Sequence, residues 1–298
     1  MDSVLFYIQF VLAPQMVTGL ALGVAVVLVA LGLTIIFGLL DVINMAHGEF
    51  YAVGAYLAVA LGLAGINFWV LLLLIPLIMA PIGYAVERGL IQRVFNTGED
   101  RHVTTLLLTF GLAMVIEEFI LIVFGVETMR PASPIPGAVE IFGLFLPNYR
   151  LFLIGFGLLV VAGVAVAVYR TRFGSMVRAA AFDRNMAASL GVPVSRVYAL
   201  TFALGVALAG LAGVLLAPIY SVFPTMGRDF IFIAFTVVIA GGMGSIAGAV
   251  VAGLLLTQVQ AVSSLFISPV WSQPIVFGIM VLVLVLRPQG LFGRLGHA

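Results

Sequence analysis

GLTIIFGLLDVINMAHGEFYAVGAY, Gly32 to Tyr56, holds the end of one long apolar run and the start of another. Asp41, Asn44, His47 and Glu49 are crowded between the two runs. Only 8% of the 298 residues are charged and 63% are hydrophobic, at a mean hydropathy of +1.28. A soluble domain carries charge on about a quarter of its residues. The composition therefore indicates an integral membrane protein, all-α, a polytopic bundle of about eight or nine spans. No polar block is long enough to fold separately, so residues 1–298 read as a single transmembrane domain.

Working outward, stretches that approach the ~20 residues needed to span fall at Met16–Leu40, Gly48–Leu63, Phe68–Val86, Thr104–Gly125, Leu151–Tyr169, Val197–Pro218, Phe230–Ile239, Ile246–Val262 and Pro274–Leu286. Ser3–Leu12 is too short to span and is expected at the interface or docked on the bundle. Phe230–Ile239, which runs into Gly241-Gly242, reads as a short or broken span counted as a crossing. Arginines cluster at Arg88, Arg93 and Arg101, at Arg170, Arg172, Arg178, Arg184 and Arg196, and at Arg287 and Arg294. The positive-inside bias places these three regions in the cytoplasm. The segment Gly125–Arg150, with Glu127, Glu140 and four prolines, is expected outside. Nine crossings then put the N-terminus outside and the C-terminus in the cytoplasm.

Several chemistries are excluded. With no Cys there is neither a disulfide nor a thiolate metal site. With no Lys there is no GxxxxGK[ST] phosphate loop and no Schiff-base lysine. Any ATP that drives this chain is bound by another. No GxSxG or HExxH occurs, and His102 and His297 lack a second ligand at metal spacing, so no metal site is expected. The N-terminus has Asp2 and no basic residue before its apolar run, so a cleavable signal peptide is not expected.

If Asn44–Tyr51 is helical, Asn44, His47 and Tyr51 share a face, with Gly48, Ala52 and Ala55 on a small-residue face beside them. Two readings stay open. Asp41–Glu49 is a cytoplasmic turn, or it lines or supports the gate of a translocation path. His47 either meets substrate or serves as a structural hydrogen-bonding group. Glu117 and Glu118 fall inside an apolar run. They form a structural pair, one reaching the outer interface and the other an arginine, or they stand along the path. Small residues at four-residue spacing, Gly205, Ala209 and Gly213, then Gly244, Gly248 and Ala252, suit close packing in the bundle or a dimer face. The glycine-interrupted regions near Asn44 and Gly242 hint at an inverted repeat.

The loop RTRFGSMVRAAAFDRNMAASLGVPVSRV, Arg170–Val197, predicts a short cytoplasmic helix over Met176–Leu190, stopped by Gly191 and Pro193. It either fixes topology by charge or offers a compact alanine surface to a partner. This segment resembles the coupling loop of importer permeases driven by ATP-binding cassette (ABC) subunits. Ala187-Ala188 are followed by Gly191, and Met186 stands where the general motif has Glu. Gly32–Tyr56 is similar to the signature of LivH-type permeases of branched-chain amino-acid ABC importers, and the likeness extends to GGMGSIAGA, Gly241–Ala249, and LRPQGLFG, Leu286–Gly293.

That resemblance implies a permease subunit in a bacterial-type inner membrane, working with a homologous second permease subunit, two cytoplasmic ABC ATPases and an extracytoplasmic solute-binding protein. ATP and Mg belong to the ATPases; neither cofactor nor nucleic acid is expected on this chain. The substrate is expected to be a branched-chain or other hydrophobic amino acid, with urea or a short amide as the alternative. An ion-coupled secondary transporter is the reading from another class. The expected path or gate residues are Asn44, His47, Glu49, Tyr51, Gly241, Gly242 and Gly244. The expected ATPase contacts are Arg178, Ala181, Asp183, Asn185, Ala187, Ala188 and Gly191.

Overall fold

The structure, a computed structural model, describes residues 8–95, 101–141 and 143–293. Residues 3–7 of the expected interfacial segment, Arg294 and His297 lie outside them. Almost every apolar stretch became a helix: α1 (Ala13–Leu40), α2 (His47–Leu63), α3 (Phe68–Val86), α4 (Arg101–Phe124), α5 (Asn148–Arg170), α6 (Arg172–Phe182), α7 (Arg184–Ser189), α8 (Val194–Leu216), α9 (Met226–Gly241), α10 (Ile246–Ser263) and α11 (Pro269–Leu286). A π-turn, Ile8–Leu12, leads into α1, and a second, Glu87–Ile91, extends α3 into Gln92–Phe95. The sole described strands, β1 (Ala138–Ile141) and β2 (Leu144–Pro147), form one antiparallel hairpin between α4 and α5. In lipid a helix satisfies its own backbone, which is why length and apolarity alone carry these elements.

Among the described residues six helical segments are long and apolar enough to cross a membrane: Phe10–Leu40, Phe68–Val94, His102–Phe124, Asn148–Arg170, Val194–Leu216 and Ile246–Ser263. α11 is apolar but shorter. α2 and α9 are different in kind. At 17 and 16 residues they fall below that length, and each follows a non-helical segment.

α1 and α8 are the most buried of the spans and pack on each other at the centre. After α1 ends at Leu40, residues 41–46 turn back along the bundle without helical structure. The first residue of α2, His47, then lies beside Val29 and Gly32, well inside α1. α8 repeats the plan in the opposite sense. It is followed by residues 217–225, and α9 then sets Gly227, its second residue, against Gly48. These two helices, each preceded by a break and termed half-helices for that reason, therefore meet N-terminus to N-terminus inside the bundle, α2 running to one end and α9 to the other. The inverted relation joins the break at 41–46, which holds Asn44, to the break at 217–225 rather than to the region of Gly242. Gly241-Gly242 is the far end of the second half-helix.

The small-residue stripes are used within the chain. A Cβ on Gly205 would strike Ile36 of α1, and one on Gly213 would meet the Tyr51 carbonyl of α2. Gly248 faces the Gly241 carbonyl. Without a hydrophobic effect between helices in lipid, such close backbone packing is what binds them.

The two ends of the bundle are distinct. At one end Gln15 Nε2 donates to Ala261 O (2.9 Å) and Ser264 Oγ (3.0 Å), Arg150 donates to Thr18 Oγ1 (2.6 Å), and Met129 pairs with Val222. At the other, Arg88 donates to Ser195 Oγ (2.8 Å), and the tail folds under α9. There Leu291 N and Phe292 N donate to the Ala240 and Gly241 carbonyls at 2.9 and 3.0 Å. These bonds satisfy orphan carbonyls at a helix C-terminus. They also join the two distant motifs, Gly241–Ala249 and Leu286–Gly293, into one structural unit. Gly242 (φ 101°) and Gly290 (φ 79°) touch across it in conformations that side-chain-bearing residues rarely adopt.

The loop after α5 differs from the single helix expected over Met176–Leu190. It forms two, α6 and α7, broken at Asp183. Asp183 adopts an extended backbone, and its Oδ1 accepts from Asn185 N (2.8 Å) and Met186 N (2.9 Å). Aspartate is a strong N-cap, so it starts a new helix rather than continuing the old one. Gly191, at φ 83°, ends the pair as expected.

Candidate functional site

The half-helix junction gathers most of the polar groups that the sequence singles out. Asn44 turns the chain into α2, its Oδ1 accepting from Ala46 N at 3.1 Å. Thr109 of α4 serves the backbone just before: its Oγ1 accepts from Met45 N (3.1 Å) and lies 3.2 Å from Ile43 O. Non-helical backbone at membrane depth requires such partners. His47 is fully buried, and its Nε2 lies 3.0 Å from Val29 O. A carbonyl only accepts, so Nε2 carries the proton and the ring is a structural donor that pins α2 to α1.

Glu49 is 3% exposed. Its carboxylate lies against Gly227, where any Cβ would collide with both oxygens, and Oε2 has no hydrogen-bond partner. Tyr51 stacks on Phe230 of α9 with ring centroids 4.2 Å apart. The arginine expected for one of the paired acids is Arg228, whose guanidinium is ion-paired with Glu117. Glu118 is exposed on α4. Glu117 stands about 24 Å along α4 from Arg101 and about 10 Å short of Phe124, inside a segment long enough to span. Arg228 is nevertheless 59% exposed, and Asp229 beside it is exposed as well.

Arg228, Asp229, Gly227 and Thr109 were not among the candidates from sequence. Arg228 carried a signal: it is the lone basic residue between Arg196 and Arg287, immediately before an apolar run. Its pairing with Glu117, 111 residues away, carried none.

The remaining candidates lie elsewhere. Gly241, Gly242 and Gly244 sit at the opposite end of α9, about 21 Å from Gly227 along the helix. Gly244 lines a cavity of about 620 Å³ together with Gly38, Asp41, Arg178, Ala181 and Phe182. This cavity separates the end of α1 from α6, so it joins one expected gate residue to two expected ATPase contacts. Asn185, Ala188 and Gly191 are exposed, as is Asp183; Ala187 is buried against the bundle.

The family model for "Branched-chain amino acid transport system / permease component" matches residues 15–285. The chain belongs to this permease family. It is 32% identical to the high-affinity branched-chain amino acid transport system permease protein LivH of Salmonella typhimurium, over 98% of this chain and 97% of that protein. It is 30% identical to BraD of Pseudomonas aeruginosa, named in the same terms, over 99% and 98%. It is also 29% identical to the permease protein LivM of Salmonella typhimurium, over 89% of this chain and 67% of that protein. No solved structure matches it. A multi-pass membrane permease is thus the frame in which the junction works.

Proposed function

We propose that this permease is the path-forming subunit of an ATP-driven importer for branched-chain or other hydrophobic amino acids. Its membership of the branched-chain permease family is the observation that carries this reading. The relatives named LivH and LivM, both similar to this chain, support a second, homologous permease subunit beside it. A binding protein outside and two ABC ATPases holding ATP and Mg inside complete the importer.

The ATPase surface is α6–α7. Its outer side carries Phe182, Met186 and Leu190, large apolar side chains that are 89%, 59% and 79% exposed at the arginine-rich end. Its inner side is fixed to the bundle: Gly174 packs on the Val168 carbonyl, Arg178 donates to the same carbonyl, and Val177, Ala180 and Ala187 are buried. A push on the apolar side is therefore delivered to the end of α5 and to the wall of the 620 Å³ cavity. Closure of the ATPase pair on ATP would move this element as a unit and rock the two half-helix arms between inward and outward access.

The arginine-rich end is cytoplasmic, by the positive-inside bias, and the start of α1 lies outside. Because the chain has no cysteine, single substitutions test this directly. Ala188→Cys in intact cells is expected to resist a membrane-impermeant thiol reagent, and Thr128→Cys to react; the reverse pattern inverts the topology.

The function itself is tested by uptake of radiolabelled leucine into vesicles. Uptake is expected only with ATP, ATPases and binding protein together. Uptake of urea or a short amide in place of leucine would reassign the substrate. Gradient-driven uptake by this chain alone would replace the ATP-driven reading by an ion-coupled one.

A further inference from the structure

We infer that Arg228, Glu117 and Glu49 form a station on the path that holds the two charged ends of an α-amino acid. The inference deepens the importer reading and rests on it.

Arg228 is the starting point. A charge inside the bilayer costs about 2.5–3.5 kcal/mol on insertion scales. An arginine 59% exposed beside an exposed aspartate, on a helix that begins inside the bundle, therefore faces water or protein rather than lipid. Its ion pair with Glu117 uses one guanidinium nitrogen, and the fork has further donors suited to a carboxylate.

Behind it, Glu49 is near enough to Glu117, Arg228 and Asp229 to interact electrostatically with all three. Its Oε2 is buried without a partner. A buried carboxyl oxygen without a partner is costly unless a hydrogen-bond donor meets it. Glu49, Glu117 and Asp229 set several carboxyl oxygens around one arginine, an arrangement that also suits an ammonium donor. The N-termini of α2 and α9 converge at the same point and favour negative charge, in the manner of interrupted membrane helices that hold carboxylates.

Apolar surface lies beside both charged groups. Phe232, one turn beyond Arg228 on α9, and Met114, one turn before Glu117 on α4, are exposed on the same faces of their helices. A guanidinium, paired carboxylates and flanking apolar side chains are the complement of a zwitterion with a hydrophobic side chain. The substrate carboxylate would share Arg228 with Glu117, releasing Glu117 and Glu49 toward its ammonium.

The test uses the assembled importer in proteoliposomes, reading subunit co-purification and leucine taken up per ATP hydrolysed. Arg228→Gln is expected to co-purify with its partners and to lose at least about tenfold in uptake per ATP, a change of about 1.4 kcal/mol. Arg228→Lys, which keeps the charge but not the fork, is expected to fall between. The exchange Arg228→Glu with Glu117→Arg keeps an ion pair and reverses its polarity, and uptake is expected to stay lost. Recovery by that exchange would make the pair a structural brace and overturn the station. Loss of co-purification in Arg228→Gln would assign the pair to subunit assembly and overturn it equally, as would unchanged uptake. A wild-type importer that fails to take up leucine with ATP would overturn the importer reading instead.

Discussion

Gly48→Val is expected to destroy the half-helix junction and, with it, transport. A Cβ at Gly48 would overlap the Gly227 carbonyl oxygen and lie 2.8 Å from the Ile231 Cβ. The first obstacle is backbone at the start of α9, so no rotamer change relieves the clash. Overpacking in a tight core costs typically 1–3 kcal/mol and occasionally more. A β-branched side chain against main chain belongs at the upper end, about 3 kcal/mol. Thermal unfolding of detergent-solubilised protein, followed by size-exclusion chromatography, measures it. Gly89→Val is the control: a Cβ there has nothing within 4 Å. If Gly48→Val unfolds at the temperature of the control and transports normally, the contact between α2 and α9 is not what holds the junction.

The second large effect is expected at the opposite end of the molecule. Phe182→Glu combined with Leu190→Glu should abolish ATPase binding while membrane insertion and the fold persist. Both side chains project from the bundle and make little of its core, being 89% and 79% exposed. Buried apolar anchors in an interface cost about 2 kcal/mol or more each when lost. Two of them amount to about 4 kcal/mol, near a thousandfold in affinity. Pull-down of the ATPases by tagged permease reads the result. Charge at Ala187 is a different experiment. That residue is 2% exposed, so a charge there disturbs the seating of α7 on the bundle before any partner is met. Retained ATPase binding in the double variant would move the docking surface away from α6–α7.

Much of this architecture is legible in the amino-acid order. Each apolar run near spanning length became a helix, because in lipid the helix is the local solution to backbone hydrogen bonding. Gly191 ended the helices of the arginine-rich loop for an equally local reason, its positive φ. Asp183 was present in the same loop as a contact residue, and its role as a cap was missed. A run of helix formers on both sides outweighed one capping residue in the sequence reading, whereas in the chain its side chain satisfies two backbone donors at once.

The polar knot at Asn44–Glu49 shows where local reading ends. Its residues were identifiable because polar groups are rare in this chain. Their purpose was not, since a cytoplasmic turn and a buried junction have the same local sequence. His47 became a structural donor only through Val29, eighteen positions earlier, and Glu49 acquired its surroundings only from α9. In the sequence Gly242 reads as a second break, yet its conformation serves the tail that folds beneath α9.

By itself the sequence determined the membrane environment, the helices, the arginine-rich end and the permease family, because each follows from composition, from local periodicity or from motif order. The tertiary structure alone decided that α2 and α9 are half-helices meeting head to head, that Glu117 finds Arg228 and that Ala187 turns inward. Those outcomes depend on which glycines let two backbones touch, and contact between distant segments is a property of packing that no local stretch encodes.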